Sequence, residues 1–470
     1  MATRIVIIGG GPAGYEAALA AAAHGSDVDV TVVDSDGVGG ACVLFDCVPS
    51  KTLIASTGVR TDLRRAPDLG YDLNFEDAKI VVPKLYRRVK TLAAAQSADI
   101  ADTLCSHGVK LLNGSGEFVD DSPGMASHRV KVTSPDGDTR TLAGDVVLIA
   151  TGASPRILPG AEPDGDRILT WRQLYDLDRL PEHMVVVGSG VTGAEFVNAY
   201  TELGVTVTVV ASRDQILPHE DSDAAAVLED TFAARGVTLV KNARANKVVR
   251  TDAGVTVEMT DGRTVEGSHA LMTVGSVPNT GGLGLERVGI ELGKGNYIPV
   301  DRVSRTSVPT IYAAGDCTGL LPLASVAAMQ GRIAMYHALG EAVVPIRLRT
   351  VAAAVFTRPE IAAVGVPQSA IDSGKVPART IMLPLNTNAR AKMSSLRRGF
   401  VKIFCRPATG VVIGGVVVAP VASELILPIA LAVQKLLSVT DLAATLSVYP
   451  SLSGSITEAA RQLMAHDDLD

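Results

Sequence analysis

No segment of the chain approaches the run of about 18 apolar residues that a membrane-crossing helix needs, so no integral membrane segment is expected. Basic charge is not in excess either. The 43 Lys and Arg stand against 50 Asp and Glu, a net charge of -7, and nucleic acid is excluded as an expected partner. Cysteines number five, and only Cys42 and Cys47 lie close together. That odd, sparse set is no secreted disulfide framework, and the C-x4-C spacing has no further Cys or His around it to complete a zinc or other metal site. The opening run "IVIIGGGPAG" lacks the basic start and cleavage site of a signal peptide and reads as a strand breaking into glycines, so the expected compartment is cytoplasmic.

What is present is a long, ordinary globular chain: 470 residues, 47% hydrophobic and 20% charged. That length predicts about three domains and room for a large cofactor. The strand "RIVII" runs into Gly9, Gly11 and Gly14 in G-x-G-x-x-G spacing, then an alanine-rich helix, then the strand "VTVVD" ending in Asp34. Each part has a role in binding a dinucleotide. Gly9 makes the tight turn, Gly11 lets backbone N–H groups approach the pyrophosphate, Gly14 lets the helix pack closely, and Asp34 accepts from ribose hydroxyls. The pattern recurs as Gly188, Gly190 and Gly193, so two dinucleotides are expected. In the second copy Ala211, Ser212 and Arg213 follow the strand where an acid would stand. No carboxylate there repels a 2'-phosphate, and Ser212 and Arg213 either contact one or are simply solvated at a strand end.

These motifs, with "CVPSK", "LIATGASPR", "TVGSVPNT", "IYAAGDCTG" and "FTRPEIAAVG", make the sequence resemble the flavoprotein disulfide reductase family, most closely its lipoamide dehydrogenase branch. The resemblance implies an α/β protein with two Rossmann-like dinucleotide-binding domains, one inserted in the other, and an α+β dimerisation domain. The implied boundaries are residues 1–157 and 275–345 for FAD, 158–274 for NAD(P), and 346–470 for the interface of a homodimer. On the FAD side it points to Gly9, Gly11, Pro12, Ala13, Gly14, Asp34, Gly40, Ala150, Thr151, Gly152, Gly315 and Asp316. Gly188, Gly190, Gly193, Ser212, Arg213 and Gly275 complete the cofactor-binding set for NADPH or NADH, to which Lys51 and Glu195 are added.

Candidate catalytic residues are Cys42, Cys47, Lys51, Glu195 and Tyr449. By resemblance Cys47 is the sulfur nearest the flavin, Cys42 exchanges with substrate, and Lys51 pairs with Glu195. Pro49 suits a first helical turn, so Cys47 is expected at a helix N-terminus, where partial positive charge favours a thiolate. The family commonly has asparagine and glycine where this chain has Leu44 and Asp46, and the Asp46 charge raises the pKa of a neighbouring thiol. Cys105, Cys317 and Cys405 read as structural, Ser325 as a helix cap, His219 as a loop residue and Trp171 as hydrophobic cover.

The family's histidine before proline is Tyr449 here, and its orienting glutamate is Gly454. No histidine lies between His337 and His466 to replace it, and Glu458 falls about one helical turn late. Tyrosine, with an ordinary pKa of about 10, is a poor base at neutral pH, so Tyr449 either packs at the dimer interface or contacts a ligand. The leading expectation is therefore an FAD enzyme passing electrons from NAD(P)H to an acceptor that needs no such dyad, a quinone. A lipoamide-type disulfide reductase and a low-turnover redox-sensing flavoprotein are the alternatives.

Overall fold

A computed structural model describes residues 2–72, 78–119 and 127–464. Strand β1 (Thr3–Ile8) is the centre of a five-stranded parallel sheet. On one side it pairs with β2 (Val28–Asp34), which pairs with β3 (Lys110–Asn113). On the other lies the strand Val146–Ile149, followed by Ile311–Ala313. Residues Ile5–Ile8 and Val146–Ile149 are buried in unbroken runs, as strands covered on both faces must be. Helix α1 (Pro12–Ala22) covers one face. After it come α2 (Gly40–Leu44), α3 (Cys47–Arg65) and α4 (Val82–Ser106).

Between Ile149 and Ile311 the chain builds a second parallel sheet around His183–Val187, flanked by Thr206–Val210 and His269–Met272. Helix α5 (Val191–Leu203) and helix α6 (Ser222–Ala234) belong to it. The chain then returns to the first sheet, and α7 (Ala324–Ala338) follows the returning strand. From residue 352 onward an antiparallel sheet takes over, in the order Ala352–Val355, Glu360–Gly365, Val412–Ala419, Phe400–Cys405, Arg379–Pro384. The expected α/β class with a separate α+β module is what the structure shows.

One helical stretch, residues 40–69, is long and apolar enough by composition to cross a membrane. Within it α3 packs on α5 and carries Cys47 and Lys51, with a third of the most apolar stretch buried.

A buried cation ties the last sheet to the second. Lys402 is 2% exposed, and its Nζ lies 2.7 Å from Asp221 Oδ2 and 2.6 Å from Asp223 Oδ2. Asp221 also caps α6 by accepting the N–H groups of Asp223 and Ala224. Removing the lysine strands a buried carboxylate and loosens a helix start together. Lys402→Ala is expected to destabilise the protein by about 3–5 kcal/mol, and Lys402→Met with Asp221→Asn to recover much of that loss. Thermal unfolding of the two variants checks it. Equal destabilisation by both would mean that the stranded charge is not the cause.

Candidate active site

The two glycine fingerprints fold alike, and the structure separates what each glycine is for. Gly9 has φ +108°, and a Cβ there would come 2.2 Å from the Ala150 carbonyl oxygen; one on Gly14 would come 1.8 Å from that of Gly9. Gly188 and Gly193 repeat this, with approaches of 2.3 Å to Thr273 O and to Gly188 O. These four are fixed by the chain's own packing. The middle glycines are not: a Cβ on Gly11 would meet only Gly40 Cα at 4.0 Å, and one on Gly190 would meet nothing within 4 Å. Each middle glycine therefore leaves room that the chain does not fill, above the start of a helix whose first N–H groups are unpaired. A dinucleotide pyrophosphate fits both places.

From Gly11 a cavity of about 460 Å³ runs to the cysteines. Gly9, Gly11, Pro12, Ala13, Asp34, Gly40, Ala150, Thr151, Gly152, Gly315 and Asp316 line it, together with Cys42, Asp46 and Cys47. Asp34 is more engaged than its expected ribose role: Oδ2 accepts the Gly10 N–H at 2.5 Å and Oδ1 accepts those of Asp36 and Gly37. Burial raises its carboxyl, and these three bonds oppose the rise. Asn279, in the "VPNT" stretch but not singled out from sequence, locks the crossing strands. It donates to Thr151 O at 2.9 Å and accepts from Ser154 Oγ at 2.8 Å.

Lys51 and Glu195 meet as expected, Nζ to Oε2 at 2.7 Å. Neither is on the cavity wall; Glu195 is 3% exposed, and its Oε1 accepts the Phe356 N–H at 2.9 Å. Burial alone would lower the Lys51 ammonium. Glu195, with Cys47 and Asp46, outweighs burial and holds it above the ordinary lysine range. Seven residues along α5, Glu202 accepts from Thr57 Oγ1 at 2.8 Å and Thr61 Oγ1 at 3.0 Å, with Arg235 and Arg358 close by. Sequence reading missed Asn198, Glu202 and the buried Tyr175. The 195, 198, 202 spacing of polar residues on one helical face was the available signal.

Cys47 is the first residue of α3, as expected, but the ionisation runs the other way. The sulfurs share a hydrogen bond, and only one of the pair can be the anion. Accepting from Cys47 lowers Cys42; giving that proton, together with burial and the Asp46 charge, pushes Cys47 up. The shared hydrogen bond, with burial, overrides the helix end. Both cysteines are free thiols. Asp46 itself is lifted to about 6 by burial, with Glu195 and Asp316 adding to the rise and Lys51 opposing it.

The remaining expectations divide. Tyr449 is 86% exposed and is not on the cavity wall. Gly454 begins the helix Gly454–Met464, and Glu458 is paired with Arg461 at 2.7 Å; His466 lies outside the described residues. Ser325 is not a cap: Leu323 holds that position, and Ser325 is already inside α7. Ser212 and Arg213 are exposed beyond the strand Thr206–Val210, as is Asp214. Gly275 turns with φ +92°, its carbonyl accepting the Arg156 N–H at 2.9 Å. His219 is an exposed loop residue, and Trp171 is buried beside the cavity. Burial raises the Cys317 thiol to about 11, in keeping with a structural role. No cluster of metal ligands occurs among the described residues.

Comparison with known proteins agrees with this arrangement. A Mycobacterium tuberculosis protein named NAD(P)H dehydrogenase (quinone) is 75% identical across 100% of this chain and 96% of its own length. Dihydrolipoyl dehydrogenase 2 of Haloarcula marismortui is 32% identical over 97% of this chain and 96% of its own length. The crystal structure of LpdA from Mycobacterium tuberculosis superposes with a TM-score of 0.95 at 74% identity, covering 98% of this chain and 100% of that one. The flavoprotein disulfide reductase RclA of Escherichia coli, 23% identical, shares the fold at a TM-score of 0.87, over 98% of this chain and 100% of its own. Residues 3–331 match the pyridine nucleotide-disulphide oxidoreductase model and residues 351–460 the dimerisation domain of the same name, so the chain belongs to the pyridine nucleotide-disulphide oxidoreductase family.

Proposed function

We propose that this protein is an FAD-dependent NAD(P)H dehydrogenase that delivers electrons to a quinone-type acceptor and works as a homodimer. One observation carries the acceptor: the nucleotide and cysteine parts of the site are intact, while the position of the family's acid/base dyad holds an exposed Tyr449 and Gly454. Thiol exchange needs a group to move protons between sulfurs, a contribution of about 10²–10⁴-fold, and no residue at that place supplies it. The full-length resemblance to the mycobacterial enzyme supports the same acceptor.

Bound in the long cavity, FAD supplies two-electron chemistry between nicotinamide and acceptor. The chain's own contributions are distinct. Asp34, held by three N–H groups, sets the adenosine end, and the open faces of Gly11 and Gly190 admit the two pyrophosphates. Lys51 keeps a positive charge beside the reacting region because Glu195 neutralises its cost of burial. Leu427, Leu436, Leu446, Val448 and Tyr449 leave apolar surface exposed on the C-terminal module, which suits pairing with a second copy. The cysteine pair on the cavity wall favours a second reading, disulfide reduction.

Two outcomes are expected. NAD(P)H:quinone turnover should survive Cys42→Ser with Cys47→Ser, while lipoamide and glutathione disulfide should be poor substrates of the unaltered enzyme. Loss of nearly all quinone turnover in a double variant that still binds FAD would route the electrons through the sulfurs instead. NADPH should serve at least as well as NADH, because Ala211 replaces the discriminating acid and the exposed Arg213 makes no ion pair among the described residues. Arg213→Ala should raise KM for NADPH about tenfold and leave KM for NADH nearly unchanged. Equal changes with both donors would remove Arg213 from phosphate recognition.

A further inference from the structure

The cavity wall holds a carboxyl for which the electron path gives no use. Asp46 stands immediately before Cys47, at the N-cap of α3, yet its side chain does not cap the helix. Its oxygens have no hydrogen-bond partner among the described residues. Asp46 shares the cavity wall with Cys42, Cys47 and Asp316, and it feels the charges of Lys51 on α3 and Glu195 on α5, while the buried Tyr175 in turn feels that of Asp46. The guanidinium over the adjacent Phe45 ring, Arg172, is paired with Asp36 at 2.9 Å.

Counting charges narrows the groups that take up a proton. Three carboxyls, Asp46, Glu195 and Asp316, share one ammonium. Lys51 is bound to Glu195 at 2.7 Å, and the other Glu195 oxygen accepts a backbone N–H. Asp46 and Asp316 alike have no bound cation or donor among the described residues, and burial raises both carboxyls; Asp46, next to Cys47 on the cavity wall, is lifted to about 6. Tyr175 Oη is also without a partner, and burial with the Asp46 charge raises its pKa.

We propose that Asp46, beside the cysteines on the wall of the flavin cavity, is the proton donor to the acceptor, a part that the missing dyad cannot play. The assignment rests on the quinone reading above. Reducing a quinone to its hydroquinone takes two electrons and two protons. NAD(P)H provides both electrons and one proton as hydride; the second proton leaves the Asp46 carboxyl, and the carboxylate is reprotonated from solvent through the cavity mouth. The overall balance is NAD(P)H plus H⁺ plus quinone giving NAD(P)⁺ plus hydroquinone. A carboxyl lifted to about 6 is protonated in a useful fraction near neutrality, and the donor form declines as pH rises above that value.

The test compares FAD-loaded wild type, Asp46→Asn and Asp46→Glu between about pH 5 and about pH 8, with 1,4-benzoquinone and with ferricyanide, which takes electrons without protons. Wild-type quinone turnover should fall above about pH 6, following the Asp46 acid form. Asp46→Asn should lose about 100-fold with the quinone at the acid end, much more than with ferricyanide, and its pH profile should flatten; Asp46→Glu should regain part of both. Independently of turnover, infrared titration of the holoenzyme should show a protonated-carboxyl band that disappears through about pH 6 and is absent from Asp46→Asn. Quinone turnover with an unchanged rate and profile in Asp46→Asn, or no such band, overturns the assignment alone. A wild type that reduces ferricyanide but no quinone overturns the acceptor reading and this assignment with it.

Discussion

The site depends on one helix being held against another. Helix α3 carries the second cysteine and the lysine but belongs to the first sheet; α5 belongs to the second. Glu195 and Glu202, two turns apart on α5, grip α3 near its start through Lys51 and further along through Thr57 and Thr61. Arg60 adds a bond to the Leu203 carbonyl. Both glutamates are almost wholly buried, so their partners are obligatory: a buried carboxylate without a cation or donors is strongly unfavourable. The same face of α5 presents Asn198, fully buried, which accepts from the Arg358 N–H at 3.0 Å and from Arg235 at 2.8 Å. Glu195 reaches Phe356 in the same way. A single stripe on α5 thus fixes the cysteine helix and the start of the C-terminal sheet at once.

That clamp determines the electrostatics of the cavity. Because Lys51 is committed to Glu195, it remains charged in a part-buried place but has little left to give the other acids nearby. Asp46 rises because it is buried, Lys51 only partly opposing the rise, and its charge when ionised opposes a second anion on the adjacent sulfur. Helix-end polarity acts within one turn and amounts to about half an elementary charge. The hydrogen bond between the sulfurs, which raises Cys47 as donor and lowers Cys42 as acceptor, outweighs it, with burial and the nearby Asp46 charge adding to the rise of Cys47.

Much of the scaffold was legible because it obeys spacing rules. Glycines at 9, 11 and 14 and again at 188, 190 and 193 follow buried strands, and backbone sterics leave little choice at the outer two of each set. The Lys51–Glu195 pair was legible through the family motifs, since its members are 144 residues apart and no local pattern joins them. The rest arises from tertiary contact. Asn198, Glu202 and Tyr175 acquire their meaning only when α5 meets α3 and the cysteine loop, and polar residues on a helix read otherwise as a solvated face. The proton order of the two thiols followed from their shared hydrogen bond, which sequence does not contain. Ser325 misled because residue type suggested a cap where the chain had already entered the helix one residue earlier.

The Glu195 oxygen that binds the Phe356 N–H has a consequence for how such proteins can be recombined. A module boundary drawn near residue 350 cuts the chain between the residues matched by the two family models, yet one hydrophobic core runs across it, and Phe356, just past the first strand beyond it, supplies a backbone donor to the carboxylate that compensates Lys51. A chimaera that joined the nucleotide-binding part of this chain to the C-terminal module of a distant relative would keep every residue of the lysine pair. It would still alter that pair's environment unless the graft also brought a free amide to the same point. The modules are separable as sequence but share one hydrophobic core and the polar contacts of Glu195, Asn198 and Lys402.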